Sequence, residues 1–192
     1  MNNLKWLPEK DEKKILATVR KVSTFKARRD FTICILGFMT GMRLSEIYGL
    51  NVGDVKETDR LYVRPETAKR KKGRLVPLND KARAAVTSWL KMKEEKGERL
   101  EDSAPLFISR KFKRLSRRSL QEMFEFWCKA SGLSNRRYTV HSMRHSFAKR
   151  LVQNGVHLSV IQKLLGHASL ASTGVYIEPG YEEMEEAVKG RR

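Results

Sequence analysis

The stretch TVHSMRHSFAKRLVQNG, Thr139 to Gly155, carries two patterns at once. Met143, Phe147, Leu151 and Val152 recur at helical spacing, and Gly155 supplies a C-terminal stop. On a different face, His141, Arg144 and His145 stand at i, i+3 and i+4, which makes them neighbours on a helix surface. Two histidines beside an arginine are uncommon. The arginine fork can hold a phosphate oxygen while an imidazole hydrogen-bonds a neighbouring oxygen or moves a proton. A solvated basic face is the plainer reading of the same residues.

Helical periodicity continues on both sides of this stretch. Ile15, Leu16 and Val19 define a first helix, with acids early and bases late as the helix dipole favours. A second runs from about Ala27 to Met39 and ends at Gly41; a short one follows at LSEIYGL, residues 44–50. Asn79 can cap a long helix that buries Val86, Trp89 and Leu90 and stops at Gly97. Leu120, Met123, Phe124 and Trp127 share one face of another, and LSVIQKLLG is a further one, with Ser159 as cap and Gly166 as stop. Only RLYVRPE and GRLVPL read as strands, around the basic turn TAKRKKG, with APLFIS as a short extended piece. The predicted class is α+β and mainly α-helical, with a small antiparallel sheet near residues 60–78.

The bulk charge names a class of partner. Forty Lys and Arg against 22 Asp and Glu give +18 over 192 residues, which suits a polyanion, nucleic acid first and an anionic membrane surface second. The longest apolar run, FTICILGFM, is too short to span a bilayer, and the N-terminus lacks the apolar core of a signal peptide. A cytoplasmic protein is expected. Cys34 and Cys128 have no metal-binding spacing and read as buried free thiols. No acidic cluster of the kind a two-metal nuclease needs is visible.

Two further segments hold candidate chemistry. In TGMRLSEI, Arg43 lies between two helical patterns, where it can present its fork to a phosphate or pair with Glu46. In GHASLASTGVYIE, His167 follows a helix stop and Tyr176 comes nine residues later. Tyr176 is either a packing aromatic or a nucleophile. A phenol of pKa about 10 attacks poorly at neutral pH unless cations around the phosphate favour the phenolate.

The ordered set Arg43, Lys69, His141-x-x-Arg144, His167 and Tyr176 resembles the catalytic domain of the tyrosine recombinase (phage integrase) family. TGMRLSEI, HSMRHSFA and LLGHASLASTGVY look like its signature boxes, and the resemblance covers about Trp6 to Tyr181. It implies that Tyr176 attacks a DNA phosphate to form a 3′-phosphotyrosyl link, without metal or ATP. Arg43, Arg144 and His167 would hold the phosphate, His141 would assist proton transfer, Lys69 would protonate the leaving oxygen, and Glu46 would orient its neighbours. The family places its lysine on a hairpin eight residues before a proline; counting from Pro77 gives Lys69, with Lys71 and Lys72 as alternatives. Met143 stands where leucine is common, Ile177 where threonine is, and Gly174 precedes Tyr176 by two.

Arg70, Lys71, Lys72, Arg74, Arg110, Lys111, Lys113, Arg114, Arg117 and Arg118 are the expected contacts to double-stranded DNA. The resemblance also implies assembly with further copies as a tetramer on DNA. Residues 1–180 are expected to form the catalytic domain, without the N-terminal domain most members carry. Residues 181–192, with Met184 and Val188 on an apolar stripe, are expected to dock on another protomer. The competing readings are a catalytically inactive DNA-binding module of this fold and a type IB topoisomerase-like relaxing enzyme.

Overall fold

The structure is a computed structural model, and it describes residues 6–57, 59–68 and 71–166. Two units divide the chain after Phe147. The first holds helices α1 (Glu9–Arg20), α2 (Phe25–Thr40), α3 (Leu44–Gly49), α4 (Asp80–Glu95) and α5 (Arg117–Ala130) and a hairpin of β1 (Arg60–Val63) and β2 (Arg74–Pro77). Helix α6 (Val140–Gln153) runs across the division, and α7 (Leu158–Leu165) belongs to the second unit. The mainly helical class with one small antiparallel sheet is the one the periodicity predicts. Among the described residues no helix is long and apolar enough to cross a membrane.

The central helix of the first unit is α2. Helix α2 packs against both α1 and α4, and Ile33, Cys34, Leu36 and Phe38 are fully buried along it. Its start lies at Phe25 rather than Ala27, because the Thr24 side chain accepts the N–H of Ala27 and supplies an N-cap. Its end is the predicted one: Gly41 takes φ +61°, the left-handed turn that a Cβ disfavours. Asn79 caps α4 by accepting the Ala82 N–H at 2.9 Å. In the second unit the cap of α7 is His157, whose side chain accepts the Ser159 N–H, and not Ser159 itself.

Aromatic packing joins the layers. Trp89 of α4 lies between Phe25, at 4.7 Å, and Phe107, at 6.1 Å between ring centroids, and its Nε1–H donates to the Leu106 carbonyl at 3.0 Å. Phe38 meets Phe124 of α5 edge-on at 6.3 Å. A buried polar bridge crosses the same region. Asp30 accepts Arg29 Nη2 at 2.8 Å and Trp127 Nε1 at 3.0 Å, so a charge only 1% exposed has partners on both oxygens. Cys34 and Cys128 are buried free thiols, as expected.

The hairpin is positioned by its register. Leu61 pairs with Val76 and Val63 with Arg74 on the core-facing side; Tyr62 pairs with Leu75 on the exposed side. Its turn approaches α3 closely. A Cβ at Gly49 would lie 2.3 Å from Thr67 Cγ2, and Arg64 donates to the Gly49 carbonyl and to Asp54 Oδ2, the latter at 2.9 Å. Only glycine at position 49 admits this contact.

Candidate active site

Arg43 occupies the loop between α2 and α3, pinned on both sides by the core. Met42 is 2% exposed, and Leu44 is buried on the other flank. The Arg43 N–H donates to Glu46 Oε2 at 2.7 Å, which closes the first turn of α3, and Arg43 Nη1 donates to Glu46 Oε1 at 3.0 Å. The pairing with Glu46 and the poise toward the exterior therefore coexist: the arginine side chain remains 21% exposed while Glu46 is fully buried.

Arg144 approaches the same loop from α6. Its Nη1 donates to the Gly41 carbonyl at 2.7 Å, and the residue is 6% exposed. Helix α6 is seated against α2 at Gly37, where an added Cβ would lie 2.7 Å from Met143 Sδ and Cε. The methionine that replaces the commoner leucine thus fills the space a glycine leaves. Ser146 Oγ accepts the Leu7 N–H at 2.8 Å and fixes this helix to the N-terminal segment.

His141 is exposed, one turn before Arg144. Partial burial and the charges of Arg117 and Arg144 hold its pKa below the ordinary imidazole value. Its ring is therefore the neutral form at neutral pH, able to accept a proton. Arg117, at the first turn of α5, is thereby placed in the electrostatic neighbourhood of His141.

Glu46 holds the cluster together. Burial pushes its pKa up, but hydrogen bonds and charge from Arg74, then Arg43, outweigh it and hold the carboxyl below its usual range. Arg74 Nη1 and Nη2 donate to Oε1 and Oε2, each at 2.8 Å. Period-2 alternation explains its direction: Arg74 shares the inward face with Val76. The sequence reading groups Arg74 with the DNA contacts, because its basic neighbours hide the strand phase.

Arg114 is also engaged within the chain. Its guanidinium donates to the carbonyls of Tyr48, at 3.0 Å, and Leu50, at 2.7 Å, and to Asn51 Oδ1 at 2.5 Å. It thereby closes the C-terminal end of α3, where a cation is favoured. Arg110, Lys111 and Lys113 are exposed on a tight turn that closes through Ser109 N–H to the Lys113 carbonyl at 2.8 Å. Lys71, Lys72, Arg117 and Arg118 are exposed too, and Arg118 pairs with Glu122 at 2.7 Å. Lys69, Arg70, His167, Tyr176 and the tail 181–192 lie outside the described residues. Among the described residues no cluster of three or more His, Cys, Asp or Glu is placed to hold a metal.

Known proteins are similar to this chain in sequence and fold. The model of the phage integrase family matches residues 5–183. The tyrosine recombinase XerC of Psychromonas ingrahamii is 35% identical over 156 residues, 81% of this chain and 50% of its own length. The tyrosine recombinase XerD of Chlamydia muridarum is 33% identical over 166 residues, 86% of this chain and 53% of its own. The chain spans about half the length of these curated relatives. Among solved structures, the XerA recombinase superposes with a TM-score of 0.80 at 25% identity, over 97% of this chain and 65% of that one. The XerH recombinase bound to its difH substrate gives 0.78 at 26% identity, over 100% and 56%.

Proposed function

The chain belongs to the phage integrase family, and from that membership we propose that it is a site-specific DNA recombinase acting through a 3′-phosphotyrosyl intermediate. The observation that carries the reading is the convergence of two arginines on one loop. Arg144 is hydrogen-bonded to Gly41, two residues ahead of Arg43. Two guanidiniums so placed suit the non-bridging oxygens of one phosphate.

The Tyr176 hydroxyl oxygen forms a bond to phosphorus as the bond to the 5′-oxygen breaks. The tyrosine gives up its proton with the help of neutral His141, and Lys69 gives one to the departing 5′-oxygen. Arg43, Arg144 and His167 stabilise the charge that builds on the pentacoordinate phosphorus. A 5′-hydroxyl from another strand then attacks the phosphotyrosine, and the tyrosine leaves. One phosphodiester is exchanged for another, so the step balances without ATP.

The substrate is double-stranded DNA. Lys71, Lys72, Arg110, Lys111, Lys113, Arg117 and Arg118 are exposed, and we assign them to the phosphate backbone, where they position rather than read sequence. Arg70, in the same basic run of the sequence as Lys71 and Lys72, completes that set. XerH, solved on its difH substrate before cleavage, supports the assignment of DNA as partner. Strand exchange requires further copies of the chain, and a tetramer on paired sites, with the tail 181–192 docking on a neighbouring copy, satisfies the stoichiometry. The work is done in the cell interior, where DNA resides.

The test uses a nicked duplex carrying the cognate site, on which cleavage releases a short fragment and traps the covalent intermediate. Denaturing electrophoresis is expected to show a protein–DNA adduct with the wild type and none with Tyr176→Phe. An absence of adduct on every cognate site would favour a DNA-binding module without catalysis.

A further inference from the structure

Glu46 is surrounded by four donors. Oε1 accepts Arg43 Nη1 at 3.0 Å and Arg74 Nη1 at 2.8 Å; Oε2 accepts the Arg43 N–H at 2.7 Å and Arg74 Nη2 at 2.8 Å. A carboxylate has about four lone-pair positions, so this one is saturated. The carboxylate is fully buried, and the Arg74 side chain is only 12% exposed. Arg74 is also the first residue of β2, immediately after the turn that holds Lys69 in the sequence.

We propose that Arg74 is a positioning residue that, through Glu46, fixes Arg43 and the β1–β2 hairpin as one unit. The proposal rests on the function above and deepens it: the group that clamps the phosphate and the hairpin that supplies the proton share one buried anchor. Two geometric facts carry it. The Arg74 fork takes one position on each Glu46 oxygen, so the carboxylate cannot accept Arg43 as a fork. On Glu46, Arg43 is therefore held by one guanidinium nitrogen and its own backbone N–H. The register adds the second fact: Arg74 opposes Val63 on the inward face, so its side chain links strand to helix rather than reaching solvent.

Loss of Arg74 vacates two acceptor positions on a buried anion. Arg43, already on the same carboxylate, can fill them, and filling them draws its guanidinium inward, off the phosphate. The start of β2 loses its tie to α3 in the same step, while Arg64 still holds the hairpin at the Gly49 carbonyl. Both displacements act on the rate of cleavage rather than on the grip on DNA, because a shift of about 1 Å at a reacting group costs on the order of 100-fold in rate. Arg74→Lys keeps the charge but cannot bridge both oxygens, so it recovers little.

The experiment measures single-turnover cleavage of the nicked duplex at saturating protein, together with DNA affinity at several salt concentrations, for wild type, Arg74→Gln, Arg74→Lys and Glu46→Gln. The expected result is a cleavage rate reduced on the order of 100-fold in all three variants. Dissociation constants and the salt slope should remain those of wild type. The double variant Arg74→Gln/Glu46→Gln should be no slower than the worse single one. A weaker affinity with a salt slope reduced by about one, and a normal rate at saturation, would overturn the proposal and make Arg74 a backbone contact. Equal loss of thermal stability, affinity and rate would overturn it too, as a purely structural role. A second arm needs no activity: the Arg43 Nε–H resonance of the DNA-free protein should move on Arg74→Gln. An unmoved resonance sinks the linkage even if the wild type cleaves. A moved one upholds it even if the wild type cleaves nothing.

Discussion

Arg144 of α6 donates to the carbonyl of Gly41 at 2.7 Å, and Gly41 precedes Arg43 by two residues. One hydrogen bond thus ties the helix of the His-x-x-Arg box to the loop that carries Arg43. A lysine at position 144 keeps the charge but loses the planar fork. Arg144→Lys is expected to lower the cleavage rate about 100- to 1,000-fold, with the protein still folded by circular dichroism.

Gly41 contributes by conformation. At φ +61°, an alanine there is expected to cost about 1 kcal/mol in urea unfolding. The cleavage rate should fall as well, because the loop carries Arg43. A Gly41→Ala protein with unchanged stability would show that the left-handed turn is dispensable.

Glu46 predicts a pH dependence. It binds its proton less readily when folded than when unfolded. Its contribution to stability is therefore fully present above the ordinary Glu pKa of about 4.3 and is lost as pH falls through the lower folded value. Removing a charge from a buried pair costs about 3 kcal/mol, so Glu46→Gln should be destabilised by about that amount at pH 7. The gap to wild type should narrow as unfolding is repeated toward pH 3. A gap constant with pH would mean that the ionised form contributes nothing.

His141 titrates in the opposite chemical sense. Burial first, then Arg117 and Arg144, keep it from charging. Arg117→Gln is expected to raise its pKa, read from the ring C–H shifts in an NMR titration, without restoring the ordinary value. The acid limb of the pH–rate profile should move upward in step, since a base must be neutral to act.

The Gly49–Thr67 contact can be tested by compensation. Gly49→Ala puts a methyl 2.3 Å from Thr67 Cγ2, and the stiff β-branched side chain cannot turn away freely. A loss of about 1–3 kcal/mol is expected. Adding Thr67→Ser removes the offending methyl, keeps the hydroxyl that donates to the Arg64 carbonyl at 3.0 Å, and should recover most of the loss.

The helices were legible because their signals are local. Gly41, Gly97, Gly155 and Gly166 all take positive φ at the stops where the sequence puts them, and Leu120, Met123, Phe124 and Trp127 are buried on one face of α5 as their spacing demands. The sequence puts Arg43, His141 and Arg144 in one ordered set, and the structure brings Arg144 to the Gly41 carbonyl, two residues before Arg43. Arg74 and Arg114 were not, because their partners are distant in sequence: Glu46 lies 28 residues away, and the Leu50 carbonyl 64. In KRKKGRL and RKFKRLSRR every basic residue looks alike until a strand register or a helix end selects which one turns inward. His157 took the cap of α7 from Ser159 for a similar reason: the capping oxygen expected of serine was replaced by an imidazole nitrogen.

The most direct test of the account is tandem mass spectrometry of the covalent adduct, trapped on the nicked duplex in the presence of a chelator and digested to a peptide–nucleotide. The account predicts a nucleotide joined through its 3′-phosphate to Tyr176. Attachment at Tyr181, attachment through a 5′-phosphate, or an adduct that persists in Tyr176→Phe would contradict it.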